Sequence, residues 1–340
     1  MNIKVLGIDI AKNIFQVHGV DSAGKKVLNK AIKRDKLLEF IAQLPPCLIG
    51  MEACGGSNYW GQKFTSLGHE VKLISPQFVK PYVKSNKNDA VDAEAICEAV
   101  ARPNMRFVAI KNKEQQDIQC IHKVRARLVK ERTALSNQTR GLLQEYGIVI
   151  PQRISRLMGE LPKILEEGAN NELTPYGREL FADLYNQLKA IDAKVEEYDK
   201  KIEVLCAGNP TCKLLCKLPG VGPLTATAMV ALVGDAKVFK NGRELSAYLG
   251  LVPRQCSSGG KTRLLGISKR GDRYVRCLLV HGARAVLFRA KDSSVGSRIN
   301  WLKGLVERCG MNRATVALAN KNARIMWAIM TKGEAFAWSK

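Results

Sequence analysis

The chain reads as an α/β N-terminal domain, a long helical, coiled-coil-like middle, and a mainly α-helical C-terminal domain. Three observations predict this. Short β-branched apolar runs alternate with helical patterns up to about residue 110. Apolar residues then recur at helical spacing through two long stretches between Lys113 and Leu205. Beyond that, short apolar helices alternate with Gly- and Pro-rich turns. The predicted divisions are residues 1–110, 111–206 and 207–340.

In order, Val5, Leu6, Ile8 and Ile10 open a strand whose pattern continues through Ile14, Phe15, Val17 and Val20 to a hairpin turn at Asp21–Gly24. Asp9 sits inside this run, and a carboxylate there is costly to bury unless it is paired or metal-bound. Lys36–Leu44 has one apolar helical face and stops at Pro45-Pro46. A second buried strand, Cys47–Cys54, carries Glu52 near its end, and Gly55-Gly56-Ser57 turns the chain into a helix over Asn58–Leu67. The strand Glu70–Ser75 follows, stopped by Pro76. A polar loop from Lys84 then opens a helix carrying Asp89 and Asp92, three residues apart and so on one face. Taken singly, Asp9 reads as a solvated strand residue, Asp89 as an N-cap and Asp92 as a first-turn partner of the helix dipole.

Lys113–Tyr146 predicts one long helix with Lys123, Arg125, Arg127, Lys130, Arg132 and Arg140 set between its apolar positions, a candidate phosphate-facing row. Gly177–Leu205 is close to a heptad seam, with Leu180, Leu184, Leu188, Ile191, Val195, Tyr198, Ile202 and Leu205. Its acidic flanks exclude a nucleic-acid surface. It predicts a dimer coiled coil, with a hairpin back onto the preceding long helix as the alternative. Leu218–Ala226 places Gly220 and Gly222 in a turn between helices that looks like the helix-hairpin-helix motif, where backbone amides can face a phosphate, with an ordinary helix–helix turn as the alternative. Then a Gly-rich block holds Ser257 and Ser258 among Arg254, Lys261, Arg263, Lys269, Arg270, Arg273 and Arg276, with Asp272 as its one acid. Such charge suits phosphate handling, whereas the bland reading of Ser-Ser-Gly-Gly is a flexible polar loop. Trp327 and Trp338 read as packing anchors.

Composition narrows the function. Lys and Arg total 54 against 31 Asp and Glu, a net charge of +23, which points to a polyanionic partner, most simply nucleic acid. Ten Cys lack metal-site spacing and have only four His beside them, which argues against zinc and against a disulfide framework. No apolar run approaches ~18 residues and no signal-peptide pattern opens the chain, so no membrane partner and a cytoplasmic location are expected.

The four carboxylates Asp9, Glu52, Asp89 and Asp92 follow one another as strand, strand and helix opening, an oxygen-rich set suited to hard cations. This order, with Gly7–Lys12, Gly50–Gly55 and Lys87–Ala93 as local words, resembles the ribonuclease H-like, RuvC-like DEDD transposases of insertion sequences and the related Piv-type DNA invertases. Asn88 stands where that family usually has Thr or another small polar residue. The serine block resembles the same family's C-terminal domain, so the resemblance spans nearly the whole chain. Actin-like kinases share the first-strand Asp, but their second Gly-rich phosphate loop has no counterpart in this sequence.

The resemblance implies Mg²⁺ held by Asp9, Glu52, Asp89 and Asp92. It implies Ser258, with Ser257 as the registry alternative, attacking DNA to form a covalent phosphoserine. It also implies donor and target DNA as substrates, a guide RNA encoded by the element, homodimers pairing into a tetramer, and a bacterial, nucleoid-associated setting. Two other readings stay open on the residues alone: a metal-only nuclease using water, and a nucleic-acid-binding scaffold with structural carboxylates.

Overall fold

The computed structural model describes residues 2–84, 88–166, 171–291 and 297–334, and it divides into two units, Met1–Glu114 and Gln115–Lys340. Ser85–Lys87 of the predicted polar loop, Gly296 and Trp338 lie outside the described residues.

The first unit is built on β1 (Val5–Asp9), β2 (Ile14–Val20), β3 (Lys26–Lys33), β4 (Leu48–Glu52), β5 (Glu70–Ile74) and the short β6 (Phe107–Val108). They form one mixed sheet in the order β3-β2-β1-β4-β5-β6. β1, β2 and β3 form an antiparallel meander, and β1, β4 and β5 run parallel. The run expected to be one strand from Val5 to Val20 is two strands, because the chain turns back over residues 10–13 and Asp9 pairs with Gln16. Polar Lys12 and Asn13 lie at that turn. Asp9 therefore ends a central strand, at the edge of the sheet formed by the strand ends, rather than lying mid-strand.

Alternation along the strands sorts the two faces. Leu6, Ile8, Ile49 and Met51 are wholly buried on one face, against α1 (Arg34–Ala42) and α2 (Ser57–Ser66), with Leu37, Ile41, Trp60 and Phe64. The other face carries Gly7 and Gly50, paired in register, and takes α4 (Asp89–Val100); a one-turn α3 (Pro76–Val79) precedes it. A Cβ at Gly7 would lie 2.3 Å from the Ala93 carbonyl, and one at Gly50 would lie 2.7 Å from the Val100 side chain. The two glycines let α4 lie directly on the strands.

Among the described residues, the second unit is helical apart from one hairpin. α5 (Lys113–Gln144) and α7 (Pro175–Gly208) are the long helices, joined through α6 (Ile154–Glu166). α5 and α7 run antiparallel within the chain, tied by Arg125–Asp199 and Arg132–Asp192. The seam expected to face a second protomer thus has Leu184, Leu188, Val195 and Ile202 buried inside one chain. Two of the cations expected to face phosphate are engaged by α7 carboxylates instead.

A single core joins α8 (Pro210–Cys216), α9 (Pro223–Val233), α10 (Gly242–Tyr248), α11 (Arg273–Lys291) and α12 (Ser297–Lys332). α12 breaks at Gly310, which has φ +76° and ψ 160°, so it acts as two helices. Trp327 anchors this core, its Nε1 donating to the Ala236 and Phe239 carbonyls. All ten Cys are free thiols. Among the described residues, no helix is long and apolar enough to cross a membrane.

Candidate metal centre and serine hairpin

Asp9 is two residues beyond Gly7, so its side chain leaves the sheet on the α4 face. α4 begins at that edge because Asn88 caps it, its side chain accepting from the Ala90 amide at 3.0 Å. Asn88 thereby does the capping job in place of Asp89, leaving both first-turn carboxylates for other use. With Ala93 held on Gly7, the preceding turn places Asp89 and Asp92 over the end of β1. Asp9, Asp89 and Asp92 each offer an oxygen within 4.8 Å of the others. Asp9 and Asp92 are half-buried and Asp89 is exposed.

Glu52 lies outside that three-carboxylate group. It ends β4, one step past the Ile8–Met51 pair, so it stands at the same edge and on the same face as Asp9. The Cys54 thiol registers both groups: partial desolvation first, then the charges of Glu52 and Asp9, push it above its ordinary value. Cys54 was not singled out in the sequence. Its place two residues after Glu52 is the signal that could have found it.

The donor set fits a hard divalent cation. Oxygens around one Mg²⁺ at ~2.1 Å stand at most ~4.2 Å apart, so a small rotamer adjustment would close the observed spacing.

In the second unit, the block expected to be a flexible loop is a β-hairpin. β7 (Pro253–Gln255) pairs antiparallel with β8 (Leu264–Ile267), and the pairing extends through Cys256–Arg263 and Ser258–Lys261. The tip is Gly259-Gly260, with φ +54° and +76°, closed by the Lys261 amide on the Ser258 carbonyl at 3.0 Å. Two consecutive positive-φ residues make the tight turn whose twist matches the strands, which is why glycine occupies both. Cross-strand alternation puts Ser258, Lys261 and Arg263 on one face. Ser257 falls on the other face, its hydroxyl accepting from Gln255 Nε2 at 2.8 Å. Arg254, Lys261, Arg263, Lys269, Arg270 and Arg273 are exposed.

Arg276 departs from these neighbours. It is buried, and its guanidinium donates to the Leu249 and Arg270 carbonyls at 3.1 and 2.7 Å. It braces the base of the hairpin instead of facing a phosphate. Gly220 also has a packing job: it takes φ +84° after Pro219, and a Cβ there would lie 2.7 Å from the Gly282 carbonyl of α11. Gly222, at the start of α9, is exposed with open space around it.

A largely buried polar chain joins α5, α9 and α11. Arg125 pairs with Asp199 and lies beside Tyr274 in the first turn of α11, and Tyr274 and Thr227 contact His122 at 3.1 and 3.0 Å. Thr227 donates its own proton to the Pro223 carbonyl. His122 Nε2–H must then donate to Thr227, and its bare Nδ1 accepts from Tyr274. Desolvation, and secondarily Arg125, hold the His122 pKa down to about 4.

Comparison with known proteins covers both units. A family model described as "Transposase" matches residues 6–148, and one described as "Transposase IS116/IS110/IS902 family" matches residues 212–298. The transposase for insertion sequence element IS1111A of Coxiella burnetii is 49% identical over 335 residues, covering 98% of this chain and 92% of that protein. The transposase for insertion sequence element IS1328 of Yersinia enterocolitica is 41% identical over 336 residues, covering 99% of each chain.

Proposed function

The chain belongs to the IS116/IS110/IS902 family of transposases, and from that premise we propose that it is a DNA transposase with a carboxylate-held Mg²⁺ centre and a serine nucleophile. The observation that carries this reading is the convergence of Asp9, Asp89 and Asp92 on a sheet whose first five strands are ordered β3-β2-β1-β4-β5, with the short β6 beyond them and Glu52 ending the parallel strand adjacent to β1. That order supports the ribonuclease H-like reading. Mg²⁺ bound there would polarise a phosphoryl oxygen and favour ionisation of an attacking hydroxyl.

Ser258 is the better-supported nucleophile, because Ser257 is engaged by Gln255 and faces away from Lys261 and Arg263. Its Oγ attacks the phosphorus of a DNA phosphodiester and loses its proton to solvent. The bond from phosphorus to the departing deoxyribose oxygen breaks, and that oxygen takes up a proton. The protein–DNA phosphoserine is then attacked by a hydroxyl of the incoming strand, which restores Ser258 and joins donor to target. Lys261, directly across the hairpin, stabilises negative charge on the phosphorane oxygens. Arg254, Arg263, Lys269, Arg270 and Arg273 bind the DNA backbone, as does the backbone amide of Gly222 itself. The family premise further suggests an element-encoded guide RNA and dimers that pair into a tetramer; the charge of +23 suits DNA and RNA alike.

The test is trapping of covalent protein–DNA adducts on nicked element-end DNA in Mg²⁺. Wild type and Ser257→Ala should form the adduct and Ser258→Ala should not, with unchanged melting. An adduct that persists in both variants would sink the serine mechanism. Cleavage without adduct in Ser258→Ala would instead establish water as the nucleophile.

A further inference from the structure

A groove of about 660 Å³ opens on the first unit, lined by Ile14, Lys33, Arg34, Leu38, Tyr59 and Trp60. Its place in the fold follows from the chain path. Ile14 opens β2 just after the turn that follows Asp9, and its register partner Lys33 closes β3. Tyr59 and Trp60 stand in the first turn of α2, which follows Glu52 by a few residues. The groove therefore opens at the sheet edge that carries the carboxylates, on the α1/α2 side. Asn13, at its rim, is four residues from Asp9, at most ~14 Å of extended chain.

Its chemistry is apolar and aromatic with a cationic border. Ile14 is 55% and Tyr59 48% exposed, large apolar surfaces left in water. The Arg34 guanidinium lies 5.3 Å from the Trp60 ring centroid and 5.8 Å from that of Phe15, held by its donation to the Lys12 carbonyl. Lys63 Nζ lies 5.9 Å from the Tyr59 ring. Lys12, Lys33, Arg34 and Lys63 thus gather here, with Asp35 as the one acid lining the groove. An exposed aromatic face bordered by cations is what an unpaired nucleotide requires: the base stacks and the phosphate is neutralised. A duplex keeps its bases stacked inside and has no use for the aromatic face.

We propose that this groove binds an unpaired nucleotide of the nucleic-acid substrate, the base stacking on Tyr59 and the backbone meeting Lys33 and Arg34, at the threshold of the Asp9 edge. This deepens the transposase reading and rests on it: single-stranded character beside the scissile position is what would be gripped.

The test measures fluorescence anisotropy of the full-length protein with labelled oligothymidylate, its oligouridylate counterpart, and a duplex of equal length. Tyr59→Ala should weaken single-strand binding about ten-fold and leave duplex binding within two-fold, while Tyr59→Phe should bind single strands as wild type. Lys33→Gln should lower the salt slope of single-strand binding by about one. Equal loss in DNA and RNA arms would support base stacking common to both, and loss in one arm would name which strand occupies the groove. Wild-type single-strand affinity in both Tyr59→Ala and Lys33→Gln, or an equal loss on duplex, would overturn the proposal. Cleavage by these variants in Mg²⁺, set against Asp9→Asn, separates failure of the groove from failure of the metal centre.

Discussion

His122 shows how much a single buried residue can govern. Folded, it is neutral with a pKa of about 4, against 6.5 for the free side chain. Between those values the unfolded chain takes up a proton that the native protein refuses. Stability should therefore be full above about pH 6.5 and fall as the pH drops toward 4, by about 3 kcal/mol in total. Urea titrations of wild type and His122→Gln between pH 7 and 4 check this, and the variant should show a shallower slope, with buried His18, also held below its ordinary value by desolvation, contributing part of what remains. Nothing in the sequence around His122 announced the site, because its partners Thr227 and Tyr274 lie more than a hundred residues away. Asp9 was legible for the opposite reason: a carboxylate breaking a β-branched run is visible locally. Arg276 was misread because a cation in a basic block looks like its neighbours until its burial is known.

Among the elements, α4 is the one on which the candidate centre depends. Its contact with the sheet is set by Gly7 and Gly50, and a methyl at Gly7 has no room against the Ala93 carbonyl. Gly7→Ala should cost about 1–3 kcal/mol and shift Asp89 and Asp92 away from Asp9. Calorimetric Mn²⁺ binding should weaken in that variant even where thermal melting shows it folded. The serine hairpin depends likewise on its tip. Replacing Gly259-Gly260 by Ala-Ala forces two side chains into positive φ, and should lower adduct formation at least ten-fold with the global melting temperature nearly unchanged. Gly-Gly between basic runs was read from sequence as flexibility. Backbone pairing turned it into geometry, since the flanking residues Cys256 and Arg263 form a ladder that their side chains do not advertise. The break after Asp9 was missed for a related reason: Ile10 and Ile14 continue the apolar pattern across a turn. α7 was misassigned outward because a heptad seam specifies an apolar partner without specifying whose.

For the molecule as a whole, the charge of +23 is the most direct signal of a polyanionic partner. The fold class was legible at the level of a mixed α/β sheet followed by helices, since periodicity reports elements one at a time. The order of strands and the pairing of α5 with α7 depend on contacts distant in sequence, which periodicity does not carry. If the exposed cations of the hairpin and of the aromatic groove make six to ten phosphate contacts, affinity for element-end DNA should fall about 10³–10⁵-fold between 50 and 200 mM salt, measured by filter binding. A flat salt response would remove the polyanion argument. The central claim is that the carboxylates gathered at the end of β1 perform the chemistry. Its most direct test is excision of a marked element from a donor plasmid in cells making wild type or Asp9→Asn at equal levels. The account predicts at least a ~100-fold loss in the variant, with normal folding and DNA affinity. Full excision by Asp9→Asn would contradict it and leave these carboxylates a structural role.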